Sequence, residues 1–140
     1  MWKVSIEGGD ARELTSNVST NALVSPDGKF IAYLYPESHD PFAPANRIAI
    51  IPFEGGDVVQ TMPIQAAIRI QIIAQWSPDG KSIHYTATNN NVTNIWSQPL
   101  DGGPAKQITD FKDSLMSGFA WSRDGKTLAC TRGVSLRDAI

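Results

Sequence analysis

Residues that most often carry chemistry are scarce in this chain of 140 residues, which holds one cysteine, Cys130, and two histidines, His39 and His84. A single cysteine excludes an internal disulfide and leaves the redox compartment open. In a strand, Cys130 reads as a small buried apolar residue rather than a reactive thiol. Two histidines far apart in sequence, with one cysteine, speak against a zinc site of three or four protein ligands. There is no apolar run of about 18 residues, so no membrane span is expected, and the N-terminus lacks the regions of a signal peptide. Surplus positive charge is absent too: 12 basic against 14 acidic side chains give a net charge of −2 and a pI near 5.6. Without a basic patch, nucleic acid is not an expected partner. No spacing matches a calcium-binding loop, a phosphate loop, a dinucleotide fingerprint or a Gly-x-Ser-x-Gly elbow, so no catalytic, cofactor-binding or metal-binding residue is assigned and no cofactor is expected. No apolar stripe with a 3.6-residue period reaches helical length, so helix should be almost absent.

What the chain does have is repetition. Ser25-Pro26-Asp27-Gly28-Lys29 recurs as Ser77-Pro78-Asp79-Gly80-Lys81 and as Ser122-Arg123-Asp124-Gly125-Lys126, at offsets of 52 and 45 residues. An acidic residue followed by two glycines recurs at Glu7-Gly8-Gly9, Glu54-Gly55-Gly56 and Asp101-Gly102-Gly103, each offset by 47. Two independent signatures sharing one period of roughly 45 to 50 residues define an array of one repeated unit. In the first, proline presets φ for the second position of a type I turn, aspartate suits the third, and glycine takes a positive φ. Arg123 fits where the others have proline, because type I turns accept most residues there. The double glycine reads as a tight hairpin turn of the primed type.

Strand-like segments lie between these corners. After the lysines come Phe30 to Tyr35, Ile83 to Thr86 and Leu128 to Thr131; before the double glycines come Trp2 to Ile6, Ile48 to Phe53 and Ile95 to Leu100. Short strands after the glycines end near a threonine, as at Thr15 and Thr109. Each unit therefore reads as four antiparallel strands, A to D, with the first corner between A and B and the double glycine between C and D. Adjacent apolar positions, as in Ile48 to Ile51 and Ile70 to Ile73, suggest sheets covered on both faces. A four-stranded meander at this period is the pattern of a β-propeller blade. Segment by segment, 1–16 supplies strands C and D of a half blade, 20–62 and 65–109 supply whole blades, and 115–140 supplies strands A and B, with Asp138 to Ile140 opening a C strand. That makes about three blades, whereas propellers close with about four to eight. The expectation is a partial propeller cut from a longer one; the alternative is two copies joined through open half-blade edges into one ring.

Trp76-Ser77-Pro78-Asp79-Gly80-Lys81 and Trp121-Ser122-Arg123-Asp124-Gly125-Lys126, each followed by an apolar strand, resemble the repeat of the TolB-like, WD-repeat-like bacterial propellers. Asn94 to Phe111 is similar to the last blades of propellers found C-terminal to bacterial serine/threonine kinase domains and winged-helix regulators. The likeness is strong from Gln75 to Gly133 and weak from Pro36 to Asn46, and Val24 stands where the other repeats have tryptophan. It implies a propeller of six to eight blades acting as a sensor or interaction module, with a protein or peptide as partner, and no catalysis by these residues. The compartment stays open between bacterial cytoplasm and periplasm.

Ser38-His39-Asp40 holds all three members of a hydrolytic triad, but consecutive loop residues cannot converge as a triad must. His84, on a B strand, reads as a packed or hydrogen-bonded histidine. Asp27, Asp79 and Asp124 recur at every corner, which favours turn formation over calcium ligation. Asn17-Val18-Ser19 and Asn91-Val92-Thr93 match the glycosylation acceptor pattern, a common chance match. Trp76 and Trp121, and likewise Trp96 and Trp2, occupy equivalent repeat positions and read as core between blades; a buried Trp121 would cost about 3 to 5 kcal/mol on truncation to alanine. Asn89-Asn90-Asn91 reads as a polar turn. The long B to C insertion from Pro36 to Arg47, with an aromatic, a histidine, charges and three prolines, is the best candidate for partner binding, against the simpler reading of a solvated loop. Three functions follow: an interaction or sensory module tied to a kinase or regulator, a TolB-like periplasmic scaffold, and the gating propeller of a prolyl oligopeptidase-type peptidase.

Overall fold

A computed structural model describes residues 1–38, 40, 42–64 and 72–133, and no helix occurs among them. The strands are β1 (Trp2–Lys3), β2 (Arg12–Glu13), β3 (Thr20–Val24), β4 (Phe30–Tyr35), β5 (Arg47–Pro52), β6 (Gln60–Pro63), β7 (Ala74–Trp76), β8 (Ser82–Asn89), β9 (Val92–Pro99), β10 (Lys106–Gln107), β11 (Leu115–Trp121) and β12 (Leu128–Gly133). Within each sheet, strands adjacent in sequence pair antiparallel. The result is a two-stranded sheet β1-β2, four-stranded meanders β3 to β6 and β7 to β10, and a two-stranded sheet β11-β12. Two compact units divide the chain, Met1–Ile64 and Gln65–Ile140.

The three Ser-x-Asp-Gly corners are built alike, and the serine is their pivot. Ser77 Oγ donates to Asp79 Oδ1 at 2.6 Å and accepts from the backbone N–H of Ser82 at 2.9 Å. Gly80 N–H closes a four-residue turn on Ser77 O at 2.9 Å, and this glycine takes φ +69° as its last residue. Ser25 and Ser122 make the same bonds to Asp27 and Asp124, and to Phe30 N–H and Thr127 N–H. The carboxylates are held below their ordinary value of 3.8 first by the serine hydroxyl and then by the lysine N–H two residues on. Their recurrence thus has a structural cause, since each aspartate closes its own corner.

The double-glycine corners differ from the expected primed hairpins. Gly55 N–H bonds to Pro52 O at 2.9 Å, so the turn covers Pro52 to Gly55, with the positive φ of +85° at its last residue rather than at its centre. The chain then needs Asp57, Val58 and Val59 before β6 begins, and the connections at Gly8-Gly9 and Gly102-Gly103 are similarly long. A type II′ turn needs positive φ at the first of its central residues, and a type I′ turn at both. That geometry is found instead at Asn90 (φ +49°) and Asn91 (φ +62°), which join β8 to β9 with a two-residue loop. Asparagine tolerates the left-handed region because its side chain is short and polar.

Packing is distributed. Both faces of β4 and β5 are buried, with the run Ile31 to Leu34 and the run Ile48 to Ile51 each at 4% exposure or less. Within the first unit, Ile31, Tyr33, Ala49 and Ile51 form a cluster joined by Met1, Leu14, Tyr35 and Phe53, which seats the β1-β2 segment on one face of the β3 to β6 sheet. Within the second, Ile95, Met116 and Phe119 form the cluster, joined by Ile73, Phe111, Leu128 and Cys130, so β11-β12 lies on the β7 to β10 sheet. Gly125 shows how close that approach is: a Cβ there would lie 2.9 Å from Pro78 Cβ, at a φ of +68°.

Four expected core residues prove less buried than the repeat implied. Trp2 is 63% exposed. Side chains alternate along a strand, so with Met1 in the cluster and Lys3 over the Phe53 ring, Trp2 turns to the opposite face. Its repeat equivalent Trp96 is half-buried, as are Trp121 and Cys130, whereas Trp76 is buried. Val24, in the tryptophan position of the first repeat, is largely exposed. The Ile70 to Ile73 run and the proposed strand at Asp138 to Ile140 fall wholly or partly outside the described residues.

Candidate interaction surface

Because every sheet is a meander, its turns segregate by end. In the first four-stranded sheet the corners at 25–30 and at 52–55 share one end, tied together by Phe53 N–H to Lys29 O at 2.8 Å. The other end carries the connection from β4 to β5, residues 36 to 46. In the second, Leu100 N–H bonds to Lys81 O at 3.0 Å, and the Asn90-Asn91 turn occupies the opposite end. One end of each sheet is consequently uniform, and the other varies in length and side chains.

The 36 to 46 connection has a fixed base. Asn46 N–H bonds to Tyr35 O at 3.1 Å, and its Oδ1 accepts from Glu37 N–H at 2.8 Å. Asn46 O in turn accepts from Ile64 N–H at 3.0 Å, which ties the loop to the end of β6. Arg47 reaches Glu37 Oε1 at 3.1 Å; such an exposed pair orients more than it stabilises. Above the base, Asp40 N–H bonds to Ser38 Oγ, and Asp40 Oδ1 accepts from Phe42 N–H at 2.9 Å. These bonds make an Asx-type turn that lifts Phe42 to 92% exposure. Ser38 and Asp40 thus serve the loop's own backbone, and His39 lies outside the described residues.

The remaining candidates are dispersed. His84 is 8% exposed on β8, where its Nδ1 accepts from Trp121 Nε1–H at 2.9 Å and its ring lies 5.3 Å from the indole. Burial holds its pKa below the ordinary 6.5, with Asp79 opposing. Thr93 Oγ is buried against Thr88 Oγ at 2.8 Å, and Asn91 belongs to the primed turn. Among the described residues no three His, Cys, Asp or Glu side chains gather as metal ligands. Sequence reasoning missed the serine pivots and the His84–Trp121 pair. The invariance of serine across the three corners signalled the first; nothing in the sequence signalled the second.

No family model matches the chain. It is similar to Tricorn protease homolog 1 of Streptomyces coelicolor, 28% identical over 102 residues, which cover 70% of this chain and 9% of that protein. It is also similar to dipeptidyl-peptidase 5 of Porphyromonas gingivalis, 32% identical over 85 residues, covering 61% of this chain and 12% of the relative. In fold it resembles a putative TolB from Agrobacterium tumefaciens, with a TM-score of 0.69 and 24% identity, covering 92% of this chain and 45% of that one. TolB from Acinetobacter baumannii gives a TM-score of 0.56 at 21% identity, covering 86% and 27%. The β-propeller domain of the Trilobed protease from Pyrococcus furiosus gives 0.52 at 20%, covering 80% and 33%. The chain spans about a tenth of the length of the curated relatives and less than half of each of these structures. Its fold is that of a TolB-like β-propeller, present in part.

Proposed function

We propose that this chain is a non-catalytic β-propeller interaction module of a larger bacterial protein, and that residues 36 to 46 present its partner-binding side chains. One observation carries the reading: Phe42 is held at 92% exposure by a loop whose base is pinned at Tyr35, Asn46 and Ile64. A large aromatic on a pre-ordered loop can bury apolar area on binding while losing little entropy. Meanwhile the recurrent serine and aspartate side chains are consumed in closing corners. The segments 1–16, 20–62, 65–109 and 115–140 are read as a half blade, two blades and a half blade. The fold likeness to two TolB structures supports a TolB-like scaffold as the parent.

Two peptidases among the relatives support a second reading, a propeller that admits substrate to an attached hydrolase. The comparisons lend nothing to a kinase-linked or regulator-linked parent. Alanine replacement of residues 37, 38, 40 and 42 in the parent protein separates the two. For an interaction module, partner capture falls while the melt is unchanged. For a peptidase propeller, turnover of long peptides changes relative to a dipeptide ester. Unchanged capture and unchanged turnover would remove the loop from both.

A further inference from the structure

The second unit joins its four-stranded sheet to β11-β12 through few polar contacts, and one of them depends on a titratable group. Trp121 Nε1–H can donate to His84 Nδ1 only while that nitrogen carries a lone pair, so the neutral ring holds its proton on Nε2. A protonated imidazole has N–H on both nitrogens, which sets two donors against each other across 2.9 Å.

From this geometry we propose that His84 and Trp121 form an acid-released clasp between the β7 to β10 sheet and the β11-β12 hairpin. The clasp sits inside the packed contact. His84 is 8% exposed, Gln75 Nε2 beside it donates to Phe119 O at 2.6 Å, and Gly125 abuts Pro78. The groups around the ring favour the neutral form. Its cross-strand neighbours, Gln75 on β7 and Ser97 on β9, are uncharged, as is Trp121 on β11. Asp79, in the corner before β8, is the charge that acts on it, and Arg123, Asp124 and Lys126 of the facing corner are exposed. Burial outweighs Asp79 and lowers the pKa from 6.5. With the folded value depressed, the clasp is intact above the unfolded value of 6.5 and is lost as pH falls through the lower folded one.

The test is an NMR titration of the chain from pH 8 to pH 5, following the His84 ring carbons and the four tryptophan indole N–H signals, with Trp121 assigned by sequential NOEs in the unsubstituted chain and checked by Trp121→Phe. The expected result is that the Trp121 indole signal moves with the same midpoint as His84, below 6.5, and that His84→Phe abolishes the movement. A flat Trp121 signal, midpoints that differ, or a His84 midpoint at or above 6.5 overturns the clasp. The unsubstituted chain decides the matter even if the variants fail to fold.

Discussion

Replacing the corner serine isolates the interaction that the repeat exists to make. Ser77 is 5% exposed, and its hydroxyl donates to Asp79 while accepting from the N–H groups of Ser82 at 2.9 Å and Lys81 at 3.2 Å. Ser77→Ala leaves Lys81 N–H with Asp79 Oδ1 at 3.0 Å but takes this acceptor from Ser82 N–H at the start of β8. A buried donor left unsatisfied costs about 1 to 3 kcal/mol. We expect about 2 kcal/mol, read by urea unfolding with circular dichroism, and a melt lowered by about 4 °C per kcal/mol. Ser25, equally buried in the first unit, is a replicate that should match. Ser122 makes the same bonds at a more exposed corner, where water can replace the hydroxyl, so Ser122→Ala should fall at about 0.5 kcal/mol. If Ser77→Ala and Ser122→Ala cost the same, or Ser77→Ala costs nothing, the serine is not the pivot and proline and glycine alone set the corner.

Other outcomes follow from the same contacts. The corner aspartates have depressed pKa values, so the stability they add is complete above 3.8 and is lost as pH falls through the lower folded values; acid unfolding monitored below pH 4 should steepen there, and Asp79→Asn should reduce that steepening. Trp76→Ala should destabilise by about 3 to 5 kcal/mol, while Trp2→Ala should stay within about 0.5 kcal/mol, both by chemical denaturation. Gly125→Ala places a methyl 2.9 Å from Pro78 at a positive φ and should cost about 1 to 2 kcal/mol for the backbone alone, with a further loss if Pro78 cannot move.

Some of this architecture was legible before any coordinates. Corners announce themselves because proline fixes φ and glycine admits a positive φ that other residues avoid, so the Ser-x-Asp-Gly turns, the meander order and the absence of helix among the described residues could be read from spacing alone. The double glycines misled for an instructive reason. Glycine marks a positive φ, but whether that residue lies at the centre of the turn or at its last position depends on where the flanking strands stop pairing, and Pro52 to Gly55 resolves it the second way. Asn90-Asn91, which looked like an ordinary polar connection, holds the primed turn because the β8 and β9 register leaves two residues between paired ends.

The chain by its sequence alone set the repeat, the strand order and the corner chemistry, the last because the corner bonds join residues only 2 to 5 positions apart. Tertiary structure decided the rest. Trp2 and Trp96 share a repeat position yet differ in burial, because burial depends on which sheet face is covered. His84 and Trp121, 37 positions apart, meet because β11 packs across the β7 to β10 sheet, and only the resulting loss of solvent turns a strand histidine into an acceptor that resists protonation.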